Sequence, residues 1–319
     1  GGSQLAATAT GGAHPRKTIG ICAAAISLFA VAALVFLGIW WGSGSSPQKV
    51  AKMAKDAPTK AQEAISKDNT AKGAGESWGV RPNVSEGAKA KAEWEQRERR
   101  GAPAGDNGHT KVQLWKDGPY WADTNIGAEK PWEYGYYFWW GDTVGYKRAG
   151  GAWVASDGSS SNFSFSSTNA PTSCKGNSPL RNEGWVTGNV LVPTHDAAQV
   201  RWRGEWRMPT AQELEDLAKK CDWTWTMMNG VNGYVVRGRG DYVSASIFLP
   251  CAGLGSRKSL HYAGTYGYYW SSVPNSDHDD QSWYIYFNPS FHSTYYIYNR
   301  YFGQTVRPVQ GLASRPKKN

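Results

Sequence analysis

Cysteine is scarce. There are four in 319 residues, with no CxxC pair among them. Cys22 falls in an apolar run, which leaves Cys174, Cys221 and Cys251, an odd number that allows one internal disulfide at most. That excludes a fold stapled by a disulfide framework and offers no thiolate metal spacing. No His-x-x-His or comparable helical pair occurs either. Long periodic stretches are few beyond residue 110, where short apolar runs are broken by Gly, Asn, Asp and Pro. Residues 262–302 lack Lys, Glu and Met altogether, and in "WYIYFNPSFHSTYYIYNRYFGQ", Trp283 to Gln304, aliphatics are nearly missing.

What is present is unevenly spread. Residues 19–41, "IGICAAAISLFAVAALVFLGIWW", carry no charge and only Ser27 as a polar side chain. At about 1.5 Å per residue the run reaches roughly 34 Å, enough for a bilayer core of about 30 Å. Trp40 and Trp41 suit the interface. A cleaved signal peptide normally has a shorter apolar run. A transmembrane helix is expected at 19–41, after a tail at 1–18 that starts without Met and reads as truncated. Arg16 and Lys17 favour an inside N-terminus, although Lys49, Lys52, Lys55 and Lys60 follow the span. The expectation is a membrane-anchored chain with its C-terminal domain outside.

The net charge of +9 does not point to nucleic acid, because much of it is dispersed outside the domain. Residues 46–104 hold 12 Lys and Arg against 8 Asp and Glu, and the tail "SRPKKN" adds three more. Dispersed Lys and Glu in an Ala-rich segment make a solvated linker. Residues 42–110 therefore read as a linker or stalk and 311–319 as a basic tail, with 47–66 and 85–100 as possible helices lacking a sustained apolar stripe.

Residues 111–310 read as one domain, rich in Trp, Tyr and Gly. Thr194 can cap "HDAAQVRW". Thr210 begins "TAQELEDLAKKC", where Glu213 three residues on completes a capping box and Leu214, Leu217 and Cys221 mark a buried face. "GYVVRGRGDYVSASIFLPCAG" is hairpin-like, and "YYWSS", "SWYIYF", "STYYIY" and "GQTVRPV" are strand-like. In "SWYIYF", Trp283, Ile285 and Phe287 share one face and Tyr284 and Tyr286 the other. If the first face is core, the tyrosines point outward.

"WADTNIGA", "GYYFWWGDT", "DAAQVRWRGEWRMPTAQELEDLAKKCDWTW", "NGVNGYVVRG", "SIFLPCAG", "YYWSS" and "GQTVRPV" follow one another in this order. Over residues 111–309 this succession resembles the Fibrobacter succinogenes major paralogous domain, a bacterial branch of the C-type lectin fold. "RMPTAQELE" is more distantly similar to "RLPTEAEWE" of the formylglycine-generating enzyme type. The resemblance implies an α+β fold of two helices on short antiparallel sheets, a C-type-lectin-like domain behind the transmembrane helix and stalk. Some members are variable proteins of diversity-generating retroelements, in which adenine-directed mutagenesis scatters residues near the C-terminus. The segment between "YYWSS" and "GQTVRPV" corresponds to that region. Its Tyr, His, Asp, Ser, Phe, Pro and Ile are all reached by changing adenines in AAC or AAT.

Composition points the same way. Residues 262–302 hold 10 of the 17 tyrosines and six serines, the mix of rigid aromatic area and adaptable hydrogen bonding found in antibody loops. The candidate contact residues are Tyr266, Tyr268, His278, Asp279, Asp280, Tyr284, Tyr286, Asn288, Ser290, His292, Tyr295, Tyr296, Tyr298, Tyr301 and Phe302. Tyr269 reads as core, Arg307 as structural and Arg300 as lying at the edge. The expected partner is a protein or glycan on a cell or phage surface, with no nucleic acid. A non-diversified lectin-like domain stacking its aromatics on sugar is the alternative.

Chemical readings fare worse. A formylglycine-generating oxidase would need a reactive cysteine pair near its end, and no cysteine follows Cys251. Calcium lectins use Glu-Pro-Asn or Gln-Pro-Asp, which are absent. "DHDD", Asp277 to Asp280, reads as a solvated loop tip, and "GRGD", Gly238 to Asp241, as turn chemistry. No catalysis, cofactor or metal is expected.

Overall fold

Alternating aromatic and small residues favour strands, while frequent glycines at turns keep each strand short. The computed structural model describes residues 80–101, 106–159, 162–172 and 175–311. A 17-residue helix, α1 (Val84–Arg100), opens the described chain. Strands β1 (Lys111–Gln113) and β2 (Tyr120–Ala122) pair antiparallel, and β3 (Tyr146–Ala149) pairs with β4 (Ala152–Ala155). Next come α2 (Asn177–Asn182), the ladder of β5 (Val186–Thr187) with β6 (Val190–Leu191), α3 (Ala197–Trp202) and α4 (Ala211–Lys220). An antiparallel meander follows, β7 (Asp222–Met228), β8 (Val231–Arg237) and β9 (Ser246–Pro250), then a small hairpin, β10 (Leu254–Ser256) and β11 (Ser259–His261). The last meander is β12 (Gly267–Pro274), β13 (Gln281–Asn288) and β14 (Phe291–Asn299), and β15 (Val309–Gln310) returns to pair with β2.

The expected α+β arrangement of two helices on short sheets is corrected by this architecture. Among the described residues strand outweighs helix, 35% against 21%, and the strands are split among six small sheets. The described part of the chain is mostly β. The expected span at 19–41 lies outside the described residues, and among those described no helix is long and apolar enough to cross a membrane.

Local signals account for several elements. The Thr210 hydroxyl accepts from Glu213 N at 3.1 Å while the Glu213 carboxylate accepts from Thr210 N at 2.8 Å, the reciprocal bonds that start α4. Leu214, Leu217 and Cys221 are buried along its inner face. The cap of α3 is Asp196 instead of Thr194. Its carboxylate accepts from Ala198 N and Gln199 N, and also from Met208 N, so the loop after the helix folds back onto its start. Thr194 lies in a short 3-10 turn, Pro193–His195.

The stalk reading of 42–110 is corrected at its end, because α1 is docked on the domain. Gly87, Ala90 and Trp94 form its buried face. A Cβ on Gly87 would sit 2.1 Å from the Met227 carbonyl oxygen, so only glycine lets the helix approach β7 this closely. Arg237 then bridges Glu86 at 2.6 Å and Glu93 at 3.0 Å. These contacts lie more than a hundred residues away in sequence, and a search for an apolar stripe does not find them.

Trp94 also donates from Nε1 to Asp123 Oδ2 at 3.0 Å. Burial pushes the Asp123 carboxyl up to about 6 from an ordinary 3.8, against the pull of Arg307 and of the Trp94 bond. A raised folded-state value means that the carboxyl contributes stability fully below 3.8 and loses it as pH rises through about 6. Relative to Asp123→Asn, the wild-type protein is therefore expected to lose stability between about pH 4 and pH 7. Urea unfolding of both proteins across that range checks it. A difference that stays flat with pH would count against the buried carboxyl.

Candidate functional site

Period-two alternation gives β13 two faces, and both are covered. Ile285 and Phe287 join Tyr269 and the inner face of α4 in one core, where the two β13 side chains are fully buried. On the other face Tyr284 and Tyr286 join Tyr268, Trp270, Tyr296 and Tyr298 in a second core with Trp140, Leu180 and Leu191. Trp283 is half-buried at the margin.

The division of "SWYIYF" into two faces thus forms, but the outward tyrosines do not. Tyr284, Tyr286, Tyr296 and Tyr298 are only 3–5% exposed, and Tyr268 and Phe302 are as buried. The cause is the cover. The run Leu180 to Leu191 and the segments holding Tyr262, Tyr266, Tyr301 and Phe302 close over the face that a lone sheet would leave to water. A free aromatic paratope built from these six residues is excluded by their burial.

The remaining candidates fall in three places. Tyr266 and Tyr301 stay half-buried at the rim of the tyrosine core, beside Tyr262 and Phe291. His278, Asp279 and Asp280 lie at the opposite end of β13 from Ser290. Asn275 organises their loop by accepting from Asp277 N and His278 N, both at 2.8 Å. Asp279 accepts from Asn177 N at the start of α2, and Asp280 from Asn299 Nδ2 at 2.8 Å. Among the described residues no group of His, Cys, Asp or Glu converges to hold a metal ion. Asn288 is structural: its side-chain oxygen accepts from Ser290 N at 3.0 Å and holds the turn between β13 and β14. His292 sits on the other face, stacked on Trp223 at 4.4 Å, and burial lowers it to about 4. The Tyr295 side chain lies outside the described residues.

Two guanidinium groups tie the tyrosine sheet to its surroundings. Arg300, expected at the edge, is fully buried. It donates to Ser282 Oγ, Asn177 Oδ1 and the carbonyls of Gln281 and Lys175, and lies 4.7 Å from the Trp140 ring centroid. Arg307 donates to Asn125 Oδ1 and the carbonyls of Ala122 and Phe248. Burial lowers both to about 10, which leaves them cationic at neutral pH. The Arg239 of "GRGD" is likewise occupied, with Asp222 and the carbonyls of Lys219 and Cys221.

The tyrosine rings form a continuous chain of contacts. Tyr262 meets Tyr266 at 5.0 Å, Tyr266 meets Tyr286 at 5.7 Å, Tyr286 meets Tyr296 at 5.3 Å and Tyr284 meets Tyr298 at 5.8 Å. Such edge-on and tilted pairs contribute about 0.5–1.5 kcal/mol each beyond burial. Yet the hydroxyls of Tyr262, Tyr296 and Tyr298 are buried without a hydrogen-bond partner. Burial pushes Tyr262 and Tyr296 up to about 12, so all remain protonated donors. Tyr262 is also held at φ 59°, a region that bulky residues rarely occupy. Tyr262 and Phe291 were not among the expected contacts, although both lie within the aromatic segment. Nothing in the sequence marks Trp185 or Leu191 as the cover.

Residues 202–309 match the model of a domain of unknown function, DUF8237. That span runs from the end of α3 through the tyrosine sheet to β15. No curated protein and no solved structure matches the chain.

Removing an orphaned hydroxyl should cost nothing. Tyr296→Phe and Tyr298→Phe are expected to be neutral or to stabilise by up to about 1 kcal/mol, because an unpaired buried O–H carries a desolvation penalty. Tyr284→Ala should instead cost about 3–5 kcal/mol as a large-to-small core change. Denaturant unfolding measures all three, and a clear loss in Tyr298→Phe would show that its hydroxyl has a partner.

Proposed function

We propose that this chain is a ligand-recognition protein and not an enzyme, with its site at the aromatic rim of the tyrosine core formed by Tyr262, Tyr266, Phe291 and Tyr301. The half-buried rings of these four residues, gathered at one margin of the core, carry this reading. Partly exposed aromatic faces suit a ligand that presents ring C–H faces, as a glycan or protein surface does. The strained turn at Tyr262 supports the same place, since strained backbone gathers at functional sites.

Retroelement diversification and a membrane tether at residues 19–41 belong to the same proposal, in narrowed form. Scrambling Tyr268, Tyr284 or Arg300 would empty or charge a packed core. Tolerable variation lies at half-buried and exposed positions, including Tyr266, Asp279, Ser290 and Tyr301.

Sibling copies of the gene are expected to differ at adenines within codons 262–302, with changes at those four positions and constancy at Tyr268, Tyr284 and Arg300. Sequencing the locus across a population checks this; identical copies, or equal change at the core positions, would overturn diversification. For binding itself, Tyr266→Ser and Tyr301→Ser should reduce capture on arrays of surface glycans and surface proteins under conditions where circular dichroism shows both variants folded. Unchanged capture by both variants would remove the rim from the site.

A further inference from the structure

The tyrosine sheet has two edges, and among the described residues only one is covered. Along β12, Trp270 N donates to the Thr305 carbonyl at 3.1 Å and Ser272 N to the Pro209 carbonyl at 2.8 Å. Along β14 the register decides which backbone groups face outward. Gln281 pairs with Asn299 and Ser282 with Tyr298, and in the same register Arg300 N donates to the Asp280 carbonyl at 3.0 Å. Hydrogen-bonded and non-bonded pairs alternate along an antiparallel ladder. Tyr298 and Tyr296 therefore bond to β13, while Ile297 turns its N–H and C=O away from it. The Ser271 hydroxyl agrees: it donates to the carbonyl of Trp283, the partner of Ile297, at 2.8 Å, which puts that carbonyl on the β12 side. Among the described residues neither backbone group of Ile297 has a hydrogen-bond partner.

The side chains at this edge are left open as well. Helix α4 crosses the sheet on a diagonal. Its start is tied to β12 through the Pro209 carbonyl, and its end reaches β14, where His292 bonds the Ala218 carbonyl. The corner that the diagonal misses holds Trp283 and Ile297, a cross-strand pair. Both are half-buried, while Ile285 and Phe287 farther along the same face are fully buried. Edge strands are usually blunted by a charge, a proline or a bulge. From Phe291 to Asn299 there is no Lys, Arg, Asp, Glu or Pro. The one bulge, at Thr294 and Tyr295, leaves Tyr296 to Asn299 regular.

We propose that β14 pairs with β14 of a second copy of this chain, antiparallel about a two-fold axis beside Ile297. Each Ile297 donates its N–H to the Ile297 carbonyl of the other copy, and the two Trp283–Ile297 pairs line up in one row. The lack of charge favours this occupant. Residues near a two-fold axis face their own equivalents, so a charge there would meet its like, and none is present. The paired stretch shares no residue with the rim of Tyr262, Tyr266, Phe291 and Tyr301, and the assignment does not depend on it.

Sedimentation of the full chain in a mild detergent, from micromolar to millimolar protein, tests the pairing. A monomer–dimer equilibrium is expected, with the Ile297 amide protected from hydrogen exchange in the dimer and exchanging freely on dilution. Ile297→Lys sets two ammonium groups side by side, and Ile297→Pro removes the outward N–H without touching a bond to β13. Each should weaken the dimer by about tenfold or more, and circular dichroism checks that each variant folds. A wild-type chain that stays monomeric at millimolar concentration would overturn the proposal, as would a dimer that both variants leave unchanged. So would a monomer with a protected Ile297 amide, which would put another segment of the same chain on the edge.

Discussion

A sheet three strands wide with both faces buried has no side to give to water, and β12, β13 and β14 are in that position. Every residue from Tyr284 to Phe287 must find packing, alternately against α4 and against the aromatic cover. Antiparallel sheets usually keep one polar face. Here the segment's near lack of aliphatics is met by tyrosine rings, which fill large volumes with few rotatable bonds. The arrangement also explains why two arginines are inside. The sheet's flanks are irregular loops rich in carbonyls, and a guanidinium with five donors in a fixed fork can bond several of them at once. Arg300 does this for the loop before β13 and the start of α2, and Arg307 for β2 and β9.

Such cations hold the structure together through geometry more than through charge. Neither has an ion pair within 4 Å among the described residues, and both are lowered by burial. Breaking one of these hydrogen-bond sets would leave carbonyls and amides unpaired in the interior, a larger penalty than the net worth of the bonds themselves. The fold accordingly depends on polar contacts distributed among loops, with α4 the most strongly patterned helix among the described residues.

Legibility followed the range of the interaction. The capping box of α4 and its buried face could be read directly, because all the partners lie within a dozen residues. The two faces of β13 could be read as well, since period two needs only one strand. Exposure could not. Whether Tyr284 faces water depends on Leu180 to Leu191 and on the turn at Tyr262, which have no periodicity to announce where they will pack. The docking of α1 was hidden for a different reason. Its key residue, Gly87, acts by lacking a side chain, and its ion pairs join Glu86 and Glu93 to an arginine on β8.

The way α1 begins has a mechanical consequence. Asn83, just before the helix, donates its backbone N–H to the Trp225 carbonyl at 2.9 Å and accepts from the Thr226 hydroxyl through its own carbonyl. A tension applied to the chain upstream therefore reaches β7 before it reaches the helix. The load then divides among the Asn83 bonds, the close Gly87 contact and the Arg237 bridge. All of these partners belong to β7 and β8, so the first strands to bear such a load are in the meander and not in the tyrosine sheet.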